Sequence, residues 1–186
     1  MRKILLLVGG VVLVGVLILL RLSRTAQAPA ALPAPGTSAA TASPTEEHRS
    51  PLPDLAFENY DGQQIRIRDF IGKPLVINVW ASWCPFCLKE LPDLATTQHQ
   101  FVGQAVVVAI NRGESRELAK RFTDGLNITP SLTFLLDPHD IFYQATGGFS
   151  MPESIFVDKK GFIREHVRGP LNASEMKQKI QELLNE

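Results

Sequence analysis

The pattern of hydrophobic and polar residues predicts several short strands between about residue 54 and the C-terminus. Polar and apolar residues alternate over 65–68, after an Asp61-Gly62 turn, as they do in an edge strand. Other runs are apolar on both faces, as in the buried centre of a sheet; they cover 75–81, 105–110 and 132–136. Residues 154–157 and 162–167 flank a polar turn at 158–161 and predict a β-hairpin.

Helical periodicity separates these strands. Apolar side chains recur at helical spacing in three segments, which are residues 84–102, residues 115–124 and a last helix that begins near Ser174. Strands that alternate with helices and end in a hairpin predict an α/β fold, with a central mixed sheet flanked by helices on both faces.

A different pattern occupies the N-terminus. Residues 4–20 are an unbroken apolar run with basic residues on both sides, and as a helix they would extend roughly 25 Å. They predict a transmembrane anchor within residues 1–24. A cleaved signal peptide is the alternative, because Ala26-Gln27-Ala28 resembles a cleavage site. Under either interpretation the remainder of the chain is exported.

The segment between the apolar run and the first predicted strand has a third composition. Of the 29 residues in 25–53, 21 are Ala, Pro, Ser or Thr. Such a segment buries too little apolar surface to offset the entropy of ordering it, so we predict a disordered linker. The folded domain is therefore expected to cover residues 54–186.

Charge and cysteine content narrow the possible functions. The formal net charge is zero, which gives no sign of nucleic-acid binding. The two cysteines, Cys84 and Cys87, are the only ones in the chain, so they form a redox switch or half of a metal site. Structural zinc needs four ligands, and the four histidines are scattered. His99 and His166 are expected at the surface.

The position of the two cysteines predicts how they react. A buried strand leads into Cys84, which should lie at the N-terminus of the following helix. Unpaired backbone N–H groups and the helix dipole favour the thiolate there, so we expect Cys84 to be an exposed nucleophile. Cys87 lies one turn inside the helix and should resolve the mixed disulfide. This chemistry requires no cofactor beyond the redox-active Cys84–Cys87 disulfide.

Three stretches resemble a known family. They are Asn-Val-Trp-Ala-Ser-Trp-Cys-Pro-Phe-Cys-Leu-Lys-Glu-Leu-Pro at 78–92, Val-Val-Val-Ala-Ile-Asn at 106–111, and Gly-Phe-Ser-Met-Pro-Glu-Ser-Ile-Phe-Val-Asp-Lys-Lys-Gly at 148–161. They are similar to the exported TlpA/ResA/DsbE branch of the thioredoxin superfamily, over essentially all of 54–186. The resemblance implies a thioredoxin-like fold and thiol–disulfide oxidoreductase activity.

The resemblance also implies roles for individual residues. Pro152 matches the family's cis-proline, which faces the cysteines and pairs an extended substrate with the backbone, and Met151 precedes it. Glu90 matches an acidic residue that exchanges a proton with Cys87, although a solvated glutamate on a helix face is the alternative. Pro92 matches a proline that kinks the active-site helix.

Three further positions are compared with the wider superfamily. Asn78 stands where cytoplasmic thioredoxins carry a buried aspartate, and an amide cannot transfer a proton. Trp83 is expected beside the sulfurs, with a plain core aromatic as the alternative. Pro85 and Phe86 replace the Gly-Pro found between the cysteines of thioredoxins proper, which leaves the direction of electron flow open.

The function predicted from these features is that of a membrane-tethered reductant of exported proteins. The family resemblance implies apocytochrome c or copper-site proteins as clients, and a transmembrane electron donor similar to DsbD or CcdA. One alternative is a DsbA-like oxidant that inserts disulfides. Another is a Cu(I) metallochaperone that uses both cysteines, with the Met151 thioether as a further ligand.

Overall fold

The computed structural model describes residues 50–186. Within them, seven strands form one mixed sheet in the order β2-β1-β5-β4-β3-β6-β7. The strands are β1 (Ala56–Asn59), β2 (Gln64–Arg66), β3 (Leu75–Trp80), β4 (Val106–Arg112), β5 (Thr133–Asp137), β6 (Glu153–Val157) and β7 (Ile163–Arg168). The predicted anchor and the predicted linker as far as residue 49 lie outside the described part, and no helix in 50–186 is long and apolar enough to cross a membrane.

The centre of the sheet is parallel and its edges are antiparallel. β3, β4 and β5 run in the same direction, whereas β6 and β7 on one side and β1 and β2 on the other pair antiparallel. All six residues of β3 are buried, as its largely apolar sequence predicts, and Asn78 is the one polar residue among them. The mixed α/β sheet expected from the sequence is therefore confirmed.

Local sequence signals determine where most helices begin. The helices are α1 (Pro85–Gln100), α2 (Arg116–Gly125), α3 (Ile141–Ala145) and α4 (Ala173–Leu184). The Ser115 hydroxyl accepts a hydrogen bond from a backbone N–H in the first turn of α2. Asn172 and Glu175 form a capping box at the start of α4. Both helices begin within two residues of the predicted positions. The agreement is close because each capping side chain binds backbone groups only a few residues away.

Alternate residues of β3 enter two separate hydrophobic clusters. Val76 and Trp80 pack with side chains of α1, α2 and α4, whereas Ile77 and Val79 pack with Phe142 of α3 and with residues near β1. Since successive side chains of a strand point to opposite faces, the three longer helices cover one face of the sheet. The other face is covered by short segments, so helices lie on both faces but unequally.

Two elements depart from the pattern predictions. The strand predicted over 65–68 ends at Arg66, and Ile67 begins a 3₁₀ turn in which its side chain is fully buried. Helix α3 was not predicted. Its first amides, those of Ile141 and Phe142, donate to the carboxylate of Asp137 at the end of β5, at 2.9 and 2.8 Å. A side chain outside the helix thus caps this five-residue segment.

Ordered structure is present before Asp54, the residue at which the folded domain is predicted to begin. Pro51 forms a bridge with Phe162, and the N–H of Leu52 donates to the carbonyl of Gly161 at 2.9 Å. The Leu52 side chain is 2% exposed and packs in the second cluster. The proline-rich composition of this segment indicated a linker, but one leucine and an adjacent strand edge are sufficient to order it.

Candidate active site

A disulfide between Cys84 and Cys87 lies where β3 meets α1. The two Cα atoms are 5.3 Å apart, and a short segment, residues 81–84, separates the end of β3 from the helix. The side chain of Glu114 holds this segment. Its carboxylate accepts hydrogen bonds from the Ser82 backbone N–H at 2.9 Å and from Asn111 Nδ2 at 2.7 Å. Glu114 was not identified from the sequence, because no motif surrounds it.

Cys84 is the N-cap residue of α1. Its Sγ accepts a hydrogen bond from the backbone N–H of Cys87 at 3.1 Å, and Pro85 occupies the first helical position. The first turn contains no acidic residue. After reduction, the same amide and the positive end of the helix dipole would stabilise a Cys84 thiolate. The predicted position of Cys84 at a helix N-terminus is confirmed.

The predicted exposure of Cys84 is wrong for the disulfide state. Cys84 is 2% exposed and Cys87 is fully buried. The bond to Cys87 and the hydrogen bond from its amide hold Sγ of Cys84 against the helix. The exposed groups here are Trp83, at 62%, and Phe86, at 54%. Trp83 is therefore not a core aromatic.

Glu90 lies on α1 one turn after Cys87 and is buried, with 2% exposure. Its Oε1 accepts a hydrogen bond from the backbone N–H of Leu171 at 2.9 Å, and its Oε2 accepts one from Asn78 Nδ2 at 3.0 Å. Burial raises the pKa of Glu90 to about 7, although both hydrogen bonds oppose this shift. The solvated-glutamate alternative is therefore excluded.

Asn78 connects three elements beneath the disulfide. It is fully buried in β3, and its Nδ2 also lies 3.0 Å from Ser154 Oγ on β6. Within the described residues its Oδ1 has no hydrogen-bond partner. An amide at this position donates to the Glu90 carboxylate without adding a second negative charge to the core.

A cleft of about 290 Å³ borders Glu90. Phe86, Lys89 and Asp93 of α1 line one side, and Leu171 and the beginning of α4 line the other. This cleft gives solvent a route to the neighbourhood of the buried carboxyl group. Glu90 can therefore exchange protons with water while its side chain remains in the core.

Pro152 immediately precedes β6, and the Met151–Pro152 peptide bond is cis, as predicted. β6 pairs with β3 so that Glu153 lies opposite Val79. Pro152 thus adjoins the end of β3 that leads to Cys84. Met151 is partly buried against the core.

Two other predictions concern residues farther from the disulfide. Pro92 lies inside α1, as predicted. His166 was expected at the surface, but its ring is largely buried and its Nε2 lies 2.7 Å from Oε2 of Glu153. Glu153 is itself fully buried and was assigned no role from the sequence. In the described part of the chain, no cluster of three or more His, Cys, Asp or Glu side chains is arranged to hold a metal ion.

Comparisons with known proteins agree with this geometry. Residues 49–166 match the AhpC/TSA family. Thiol-disulfide oxidoreductase ResA of Geobacillus thermodenitrificans is 25% identical over 135 residues, which are 72% of this chain and 76% of the relative. Thiol:disulfide interchange protein DsbE of Pseudomonas aeruginosa is 29% identical over 140 residues, 73% of this chain and 76% of the relative. A solved structure, the exposed lipoprotein thioredoxin Etrx1 of Streptococcus pneumoniae, is 28% identical with a TM-score of 0.65, covering 70% of this chain and all of that one.

Proposed function

The chain belongs to the AhpC/TSA family and is a thiol–disulfide oxidoreductase with a thioredoxin-like fold, and we propose that it reduces disulfides of exported proteins while tethered to the cytoplasmic membrane. The observation that supports the reducing direction is Glu90, because a buried negative charge near the cysteines disfavours their thiolate form and so makes the disulfide harder to reduce. A buried carboxyl group whose pKa lies near 7, one helical turn from Cys87, suits proton exchange with that thiol at neutral pH.

The proposed cycle begins with the dithiol form. The Cys84 thiolate attacks one sulfur of a client disulfide, so a mixed disulfide forms and the other client sulfur departs as a thiolate. Glu90 accepts the proton of the Cys87 thiol. The Cys87 thiolate then attacks Sγ of Cys84, which releases the second client sulfur. The client gains two electrons, and the enzyme is left with the Cys84–Cys87 disulfide.

Several parts of the proposal concern partners and location. We propose that residues 4–20 anchor the chain in the membrane, that residues 25–49 form the tether, and that the thioredoxin-like domain faces the periplasm or its equivalent. Apocytochrome c and proteins that assemble copper sites are the proposed clients. A transmembrane donor similar to DsbD or CcdA would return two electrons to the disulfide after each cycle.

One structural feature favours the opposite direction, a DsbA-like oxidant. The amide of Cys87 and the N-terminus of α1 stabilise a Cys84 thiolate, and stabilising the reduced form makes a disulfide more oxidising. The buried carboxyl of Glu90 acts against this effect, because a negative charge nearby disfavours a second anion in the core. The balance of these two contributions determines the reduction potential.

The reduction potential is therefore the measurement that tests the proposed function. Full-length protein in detergent micelles is equilibrated against glutathione or dithiothreitol buffers, and the dithiol fraction is read by alkylation of the thiols. We expect a potential below roughly −220 mV, which requires a dedicated electron donor. A potential near about −120 mV would instead identify a disulfide-inserting oxidant.

A further inference from the structure

The loop over residues 147–152 carries the most exposed large apolar side chain in the described part of the chain. Phe149 is 83% exposed. The loop leads into the cis Met151–Pro152 bond and then into β6, which lies beside the end of β3 that precedes the disulfide. Two more exposed aromatic residues adjoin the cysteines: Trp83 precedes Cys84, and Phe86 lies between Cys84 and Cys87. Phe149 therefore lies on the loop that enters the sheet beside the strand leading to the redox centre.

The buried carboxylate of Glu153 holds the backbone of this loop at Phe149 and Ser150. Oε1 of Glu153 accepts hydrogen bonds from the amides of both Phe149 and Ser150, at 2.6 and 2.5 Å. Oε2 of Glu153 lies 2.7 Å from Nε2 of His166 on β7. Glu153 has no exposed surface. Burying a carboxylate is costly unless its oxygens are well hydrogen-bonded, and here two of its partners are loop amides.

A tyrosine fixes the same loop from the other side. The hydroxyl of Tyr143 donates to the carbonyl of Ser150 at 3.2 Å. The guanidinium of Arg112 stacks on the Tyr143 ring at 3.7 Å, and Asp140 binds that guanidinium through two hydrogen bonds. A Cβ at Gly148 would lie 2.3 Å from the ring of Tyr143, so only glycine allows this close approach. The loop is thus fixed through its backbone while the Phe149 side chain stays free.

We propose that Phe149 is a specificity-determining residue that binds an apolar side chain of the client next to its reactive cysteine, and that Glu153 is a positioning residue that preorganises the loop for this contact. The proposal rests on the proposed disulfide reductase function. An apolar client residue gains affinity by covering the exposed ring, and a loop that is already ordered loses little entropy on binding. Clients with a polar residue at that position would gain nothing from Phe149.

Single-turnover kinetics of the full-length, reduced protein in detergent test this proposal. Three substrates are compared: a disulfide-bonded peptide with leucine beside its cysteine, the same peptide with serine there, and hydroxyethyl disulfide. The dependence of the rate on substrate concentration separates the half-saturating concentration from the limiting rate. Val102→Ala is the matched control, because Val102 is 66% exposed and follows the opposite end of α1.

We expect Phe149→Ala to raise the half-saturating concentration of the leucine peptide about tenfold, with an unchanged limiting rate. The serine peptide and hydroxyethyl disulfide should react as with the wild type, and Phe149→Leu should restore most of the affinity. Val102→Ala should change nothing. An unchanged half-saturating concentration in Phe149→Ala, or an equal loss with all three substrates, would overturn the proposal.

The role of Glu153 is tested with two variants. Glu153→Ala removes the acceptor for both loop amides, so we expect it to show the same selective loss with the leucine peptide. Glu153→Gln retains a carbonyl oxygen that can accept from the loop amides, so it should behave like the wild type. If the negative charge of Glu153 were required, Glu153→Gln would instead show the same loss as Glu153→Ala. Should Glu153→Ala fail to fold, the exposed Phe149 variants still decide the proposal. A wild-type protein that reduces none of the three substrates would refute the proposed function rather than this inference.

Discussion

At the scale of single residues, the carboxyl group of Glu90 is the distinctive feature of the site. It is buried one helical turn after Cys87, and its two hydrogen-bond donors, a backbone amide and the side chain of Asn78, are both neutral. Neutral donors compensate only part of the desolvation, so the pKa of Glu90 rises to about 7. Glu90 can therefore carry a proton at neutral pH, and its ionisation lowers the stability of the folded protein.

The first prediction follows from that pKa. The ordinary pKa of a glutamate is 4.5, and that of Glu90 in the folded protein is about 7. Between these two pH values, Glu90 is protonated in the folded protein but ionised in the unfolded one. Its contribution to stability is fully present below pH 4.5 and is lost as the pH rises through 7, by about 3 kcal/mol. We expect Glu90→Gln to remove this loss in urea denaturation of the oxidised protein across that pH range. Asp61→Asn, which alters an exposed carboxylate, should keep the wild-type pH dependence.

A second prediction concerns Asn78. Replacement by aspartate would place two carboxyl groups about 3 Å apart in the core, where both cannot ionise without a large cost. We expect Asn78→Asp to lose about 2–4 kcal/mol of stability at pH 8 and much less at pH 5, where one proton is shared. Thermal unfolding at both pH values measures the difference. Equal losses at the two pH values would mean that packing, not charge, makes asparagine necessary here.

At the scale of elements, the predictable features are those whose signals are local. The two cysteines, the helix start at Ser115 and the capping box at Asn172 depend on residues a few positions apart, and the sequence locates them closely. The burial of Glu90 depends on Leu171, which lies 81 positions later. The contacts of Glu153 with its loop and with His166 likewise become visible only once the chain has folded.

A third prediction joins helix α4 to the active site. Asn172 caps α4, and the adjacent Leu171 amide donates to Glu90, so the cap also fixes a donor of the site. We expect Asn172→Ala to cost about 1 kcal/mol and to raise the pKa of Glu90 further. Ser115→Ala, which removes the cap of α2, should cost a similar amount without changing the Glu90 titration. Chemical denaturation across pH measures both effects. Identical pH profiles of stability for the two variants would show that the cap of α4 does not affect the pKa of Glu90.

At the scale of the whole molecule, the N-terminal boundary of the domain affects both stability and geometry. Residues 50–53 join the sheet beside the turn at 158–161, whereas Pro152 and the disulfide lie at the other end of β6. Residues 50–53 therefore stabilise the sheet at the end opposite the reactive sulfurs.

The fourth prediction tests this boundary. Leu52 is 2% exposed, so Leu52→Ala should cost about 2–4 kcal/mol through lost burial and a residual cavity. Leu88→Ala is the matched control, because Leu88 is 46% exposed and should cost far less. Urea denaturation of both variants gives the comparison. A neutral Leu52→Ala would return the domain boundary to Asp54, where composition alone places it.

The positions of the two tryptophans have an optical consequence. Trp80 and Trp83 are the only two tryptophans in the chain. Trp83 is bonded to Cys84, and Trp80 packs in the same cluster as both cysteines. Disulfides quench excited indole rings at close range by accepting an electron. The entire intrinsic tryptophan emission of this protein should therefore brighten when the disulfide opens, so the unlabelled molecule reports its own redox state in real time.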